Sequence, residues 1–218
     1  MTHLFTSLIA QGSLSSNLVY FLLVLPVIGA LVAFARQVVG VTMFGAYAPI
    51  IAVYAFIGSG LGWGLLLCLL VLLSELLVRY TTRSLRLHFL PKTSLLISIV
   101  AIVVLVFVVI AAYIPITLTS LAPLSLVLFI LLGDIYLTVQ TQQGYRHAVT
   151  LYIETVAVAV IVFLLISWSG FRYFLLNYPE VIILAIAADL FIGRWKGLRL
   201  VEVYRFRSVI KEKAKDYA

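Results

Sequence analysis

Eight residues in this 218-residue chain carry a carboxylate, and five of them, Glu75, Asp134, Glu154, Glu180 and Asp189, fall within or at the edge of apolar runs. Glu202, Glu212 and Asp216 belong to the C-terminal end. An acid near the centre of a bilayer costs about 3 kcal/mol on insertion scales, so such residues usually face a bundle interior or a watery cavity and mark a pathway. Depth orders the five. Glu154 lies about six residues into its run and Asp134 is well inside, which ranks these two first as groups lining a membrane path. Asp189 stands five residues before Arg194. Glu180 follows Pro179, where the first turn of a helix favours an anion through its dipole. Glu75 ranks last, because Arg79 stands one turn further on, at the spacing of an edge-placed salt bridge. Thr138, Gln140, Thr141, Gln142, Gln143 and Tyr152 are polar companions that either line a hydrophilic cavity or form an inner-surface loop.

Other chemistry fails on inventory. His3, His88 and His147 are scattered without metal-ligand spacing. Cys68 is alone in LLLCLLVLL, so neither an internal disulfide nor a thiolate metal site is available. There is no HExxH, GxSxG or Walker A sequence. The reading is therefore no cofactor, no metal and no catalysis by the chain alone. Energy from ATP would have to come from a partner.

The elements that hold these acids are set by composition. The chain is 64% hydrophobic and 11% charged, where a soluble domain carries about 25% charged residues. Such a chain is an all-α polytopic membrane protein, because a span needs roughly 20 mostly apolar residues. Seven runs qualify: Leu18–Val38, Val41–Phe56, Leu61–Val78, Thr93–Ile114, Leu118–Val139, Ala148–Ser167 and Tyr178–Ile192. The second and seventh are short, and Pro49 and Pro123 interrupt the second and fifth. Six spans with a re-entrant second segment is the alternative. A cleaved leader is not expected, since no basic stretch precedes the first run.

With the N-terminus outside, fourteen of the 15 Lys and Arg fall on the inner side, and Arg172 is the exception. That bias places the chain in a cell (inner) membrane as a multi-pass protein with its C-terminus in the cytoplasm. It also explains the net charge of +7 without nucleic acid. Trp63, Trp168, Phe171, Tyr173, Tyr178 and Trp195 cluster near the run ends, where amphipathic rings favour the headgroups. Three regions follow: a short outer segment 1–17, a transmembrane domain 18–193 and a basic tail 194–218. The tail alternates basic and apolar residues, either as a helix lying on an anionic leaflet or as a solvated end.

The second and fifth runs are alike. VTMFGAYAP and ITLTSLAP each put small or hydroxylated residues before a proline, and each is followed by a span bearing an acid, Glu75 or Glu154. Runs two to four can thus match runs five to seven. Three spans per unit would make the two units an inverted 3+3 repeat behind an extra N-terminal helix, with Gly45, Pro49, Pro123 and Gly144 as broken-helix positions. The competing reading is that proline is simply commoner in membrane helices.

The most specific signal is NYPEVIILAIAADLFIGRWKGLRLVEVYRFR, Asn177–Arg207. With Pro179-Glu180, Gly193-Arg194-Trp195, Gly197, Arg199-Leu200, Glu202 and Arg205-Phe206-Arg207, it resembles the end of the bacterial seven-helix membrane domain usually fused to an inactive transglutaminase-like domain. Val39–Ala52 resembles the segment after that family's first span. More distantly, Gly45, Pro49, Pro123, Asp134 and Gln143-Gly144 are similar to the CapC/PgsC membrane subunit of poly-γ-glutamate capsule synthesis. This chain departs from that pattern, having Pro49-Ile50 and Pro123-Leu124 where the capsule subunits have Pro-Gly.

The resemblance implies a membrane subunit of a poly-γ-glutamate-like synthesis and export complex, beside a cytosolic ATP-dependent amide ligase. Arg79, Arg83, Arg86, Arg194, Arg199, Arg205 and Arg207 would dock the ligase or its anionic polymer. Asp134, Glu154, Asp189, Glu180 and Glu75 would line the membrane path. An autonomous ion-coupled secondary transporter of a small solute is the main rival, and a structural anchor is the third reading. A homo-oligomer and further membrane subunits remain open.

Overall fold

The computed structural model describes residues 16–82, 89–112 and 123–194. All regular structure among them is helical. Helix α1 is Ser16–Phe34, continued by a π-helical turn, Ala35–Val39. Then come α2 (Tyr47–Ser59), α3 (Leu61–Thr82), α4 (Phe89–Ala112), α5 (Pro123–Gln143), α6 (Tyr145–Ser167), α7 (Ser169–Asn177) and α8 (Val181–Gly193). An apolar chain in lipid must satisfy its backbone within each segment, and helices do that.

Three helical stretches among the described residues are long and apolar enough to cross a membrane: Asn17–Val39, Leu124–Gln143 and Tyr145–Ser167. The pair Ser169–Asn177 and Val181–Gly193 passes the same test together, as a fourth span bent by 102°. Tyr47–Ser59, Leu61–Leu77 and Ile97–Ile110 are shorter apolar stretches. Leu22, Leu25, Leu105, Leu184 and Phe191 are each more than half exposed, a surface suited to lipid rather than water.

In the second segment the chain is interrupted at Gly45, one of the expected positions, rather than at Pro49 itself. Pro49 is in the first turn of α2, whereas the residues preceding Pro123 lie outside the described ones. At Pro49 the missing N–H has no intrahelical partner to lose, so this proline does not break its helix. The second segment is interrupted just ahead of Pro49, where Gly40 (φ 91°) and Gly45 (φ 59°) bracket the non-helical approach to α2. Helix α2 itself has 13 residues. At 1.5 Å per residue that is about 20 Å, short of the roughly 30 Å hydrocarbon core. The sharpest break is in the last segment, between α7 and α8. There Pro179 drives the preceding Tyr178 out of helical geometry, to φ −123° and ψ 71°.

Two compact units emerge. One combines the described residues up to Ala46 with those from Leu164 onward. In it α1 packs on α7 and α8, the Tyr20 hydroxyl donates to the Ile166 carbonyl (2.9 Å), and the Arg172 guanidinium donates to Asn17 Oδ1 (2.7 Å). The other unit is Tyr47–Phe163. Here α2 packs chiefly on α5, and α3 packs on α2, α4 and α5. Ala48, Ala52, Ala55 and Ser59 form a buried small-residue stripe on α2, the pattern that lets membrane helices approach closely. Phe56 fills the space beside it, edge-on to Phe129 (5.6 Å) and tilted against Phe163 (6.1 Å).

Candidate functional site

The site lies inside the second unit, and helical periodicity builds it. On α3 the buried residues Leu67, Cys68, Val71, Ser74 and Glu75 recur at three-, four- and seven-residue spacing, so they share one face. Leu65, Leu66, Leu69, Leu73 and Leu77 are exposed on the other side. Glu75 is therefore carried into the packed face, where it is 0% exposed. Neither of its carboxylate oxygens has a hydrogen-bond partner among the described residues.

Glu75 fits there because the facing position on α5 is Gly133. A Cβ added at Gly133 would overlap the Glu75 carboxyl group. The next residue, Asp134, is half-buried and close enough to act on Glu75 electrostatically. Two carboxyl groups thus share one site. An isolated buried carboxylate is so costly that it neutralises or takes a counterion.

A second pair adjoins them. The Tyr152 hydroxyl, on α6, lies 2.8 Å from Cys68 Sγ and donates to the Cys68 carbonyl at 3.3 Å. Tyr136, on α5, meets the Tyr152 ring edge-to-face at 5.4 Å. Glu75 is also within electrostatic reach of both Cys68 and Tyr152. The neighbouring hydroxyls turn back on their own helices: Ser74 donates to Val71 O, Thr155 to Leu151 O and Thr138 to Asp134 O.

The sequence ranking of the acids is reordered by this geometry. Glu75, placed last, is the most deeply buried. Glu154 is half-buried, two residues from Tyr152 and so about 200° around α6 from it. Gln142 and Gln143 are exposed next to Gly144, whose φ of 90° makes the turn between α5 and α6. Glu180 is exposed just before α8, and Asp189 is exposed on α8, both in the other unit. Arg194 is exposed at the end of α8. The side chain of Arg79 and all of Arg83, Arg86, Arg199, Arg205 and Arg207 lie outside the described residues. The expected Glu75–Arg79 pair therefore does too, as does the docking surface apart from Arg194.

Three members of the cluster were missed in the sequence: Gly133, Tyr136 and Cys68. One signal for them was available. Tyr136 and Tyr152 stand eight residues either side of Gly144, and a tight helical hairpin brings equal offsets to one level. Cys68 precedes Glu75 by seven residues, two helical turns on the same face.

Bundled apolar helices with one acid, Glu75, turned fully inward define a multi-pass membrane protein. The chain belongs to the family described as 7 transmembrane helices usually fused to an inactive transglutaminase, which it matches over residues 2–210. No curated protein and no solved structure matches it.

Proposed function

We propose that this chain is an ion-coupled secondary transporter of a small solute, with Glu75 and Asp134 as the groups that take up and release the coupling ion. The observation that carries this reading is the buried Glu75 carboxyl, unpartnered among the described residues and seated on Gly133 beside a second acid. Intramembrane ionisable residues placed in this way serve proton and ion pathways. A purely structural acid would be expected to have its oxygens bonded.

The test is flux in proteoliposomes carrying a pH-sensitive dye, screened with amino acids and short γ-linked peptides. Solute-dependent ion movement is expected from the native chain and not from Glu75→Gln or Asp134→Asn. Flux that survives both substitutions removes these carboxyls from the mechanism.

A second reading draws on the other end of the chain. The family match continues to residue 210, through the basic Gly193–Arg207 motif. A basic inner face attracts polyanions. On this reading the chain supports a cytosolic ATP-dependent amide ligase and passes a poly-γ-glutamate-like product across the inner membrane, with Arg79, Arg83, Arg86 and the tail arginines as the docking surface. Purification in mild detergent decides it, since a chain that carries neither ligase nor acidic polymer does not serve this role.

A further inference from the structure

We propose that the ion bound at Glu75 is a proton and not a metal cation, exchanged with the surroundings by way of Asp134. This rests on the ion-coupled reading and narrows it.

The argument is one of room and ligands. The Glu75 carboxyl group lies directly against the Gly133 backbone, in the place a Cβ would take. That contact leaves no space on its Gly133 side for a coordinated ion. Calcium and magnesium take six or more oxygen ligands, and sodium likewise needs a shell of several oxygens. Around Glu75 the second carboxyl is Asp134, and the hydroxyl of the adjacent Ser74 is engaged with its own helix. Backbone carbonyls of α3, α5 and α6 are committed to helical bonds. Among the described residues no group of three or more His, Cys, Asp or Glu can hold a metal. A proton needs one oxygen and no cavity, and it leaves the buried group uncharged.

The titratable groups facing Glu75 are few. Among the described residues, α5 supplies Asp134, α6 supplies Tyr152, which Tyr136 of α5 meets in turn, and α3 itself supplies Cys68. The side chains of Arg79 on α3 and Lys92 on α4 lie outside the described residues. Helix α2 carries no charged residue. Asp134, half-buried where Glu75 is fully buried, is the member of the pair nearer to exchange. The step is a transfer relayed by a water molecule, since the two carboxyls share no hydrogen bond: the Glu75 O–H bond breaks as its proton passes to the water, and the water releases a proton to form an O–H bond on the Asp134 carboxylate. The negative charge moves from Asp134 to Glu75, and the reverse step restores it.

A hydrophobic carbodiimide distinguishes the ions. It adds to a protonated carboxyl group, whose proton passes to the reagent nitrogen while the carboxyl oxygen bonds to the central carbon. Rearrangement then leaves a stable N-acylurea, and a metal-bound carboxylate does not react. The full chain in lipid nanodiscs is treated with dicyclohexylcarbodiimide, and its peptides are read by mass spectrometry. The expected result is modification at Glu75 that slows as pH rises, by about tenfold per unit once the group ionises. The rate should be the same in sodium chloride as in choline chloride. Glu75→Gln should abolish that modification in protein that still elutes as a single species. Protection by sodium overturns the proton assignment and leaves the ion-coupled reading in place. A Glu75 that stays unmodified at every pH, while other carboxyls react, overturns the proton assignment as well. Loss of solute-driven flux in the native chain is a separate result and overturns the reading beneath it.

Discussion

Arg172 and Glu75 show two ways of keeping a charged residue in an apolar chain. Arg172, in the first unit, is exposed, donates to Asn17 at 2.7 Å and stands 5.0 Å over the Tyr20 ring. Its needs are met locally, and its surroundings explain it as a fixture of α1 and α7. Glu75, in the second unit, is buried with no hydrogen-bond partner among the described residues and has a neighbouring acid. The contrast separates a charge used for holding from a charge available for change. It also orders the substitutions that test it.

The largest effect is expected at Glu75. Glu75→Met should end ion-coupled flux, yet leave the protein unchanged in stability or about 1–3 kcal/mol more stable, since an unpartnered buried polar group is replaced by an apolar one of similar volume. Thermal unfolding in detergent alongside the flux assay checks this, and a marked loss of stability would make Glu75 a structural residue. Next comes Gly133→Ala, whose new Cβ would overlap the Glu75 carboxyl group. A cost of about 1–3 kcal/mol is expected from overpacking. Much of it should return in the Glu75→Ala, Gly133→Ala double variant, because the two side chains no longer compete. Tyr152→Phe removes the hydroxyl that meets Cys68 and should cost about 1 kcal/mol. Smallest is Arg172→Gln, an exposed site worth less than about 1 kcal/mol by the same unfolding measurement, with flux preserved.

Much of the fold was legible in the chain. Composition marked the membrane, and some apolar runs located helices to within a few residues, as in Leu61–Val78 against α3 at Leu61–Thr82, whereas Val41–Phe56 begins six residues ahead of α2 at Tyr47. What could not be read was which side of each helix turns inward. In a soluble protein polar residues mark the outer face, but lipid is as apolar as the core. Leu67 is buried and Leu66 exposed, and nothing in LLLCLLVLL separates them. Glu75 was therefore ranked by its distance from Arg79, whereas burial depends on its place around the helix. Pro49 reads as a break for a related reason: proline is disruptive inside a helix and well suited to its start, and the run does not show where the helix begins. The break at Pro179 was present in the sequence as the opening of the last span, without a sign that α7 precedes it.

One residue, Gly144, joins α5 to α6. So short a link fixes the relative registration of the two helices, because there is no slack in which to absorb an insertion. Adding a single residue there would rotate every position of α6 by about 100° and slide it by about 1.5 Å. Tyr152 would then be carried away from Cys68 and Tyr136 without any of the three being altered. The connection's length, not its chemistry, keeps the two helices in step.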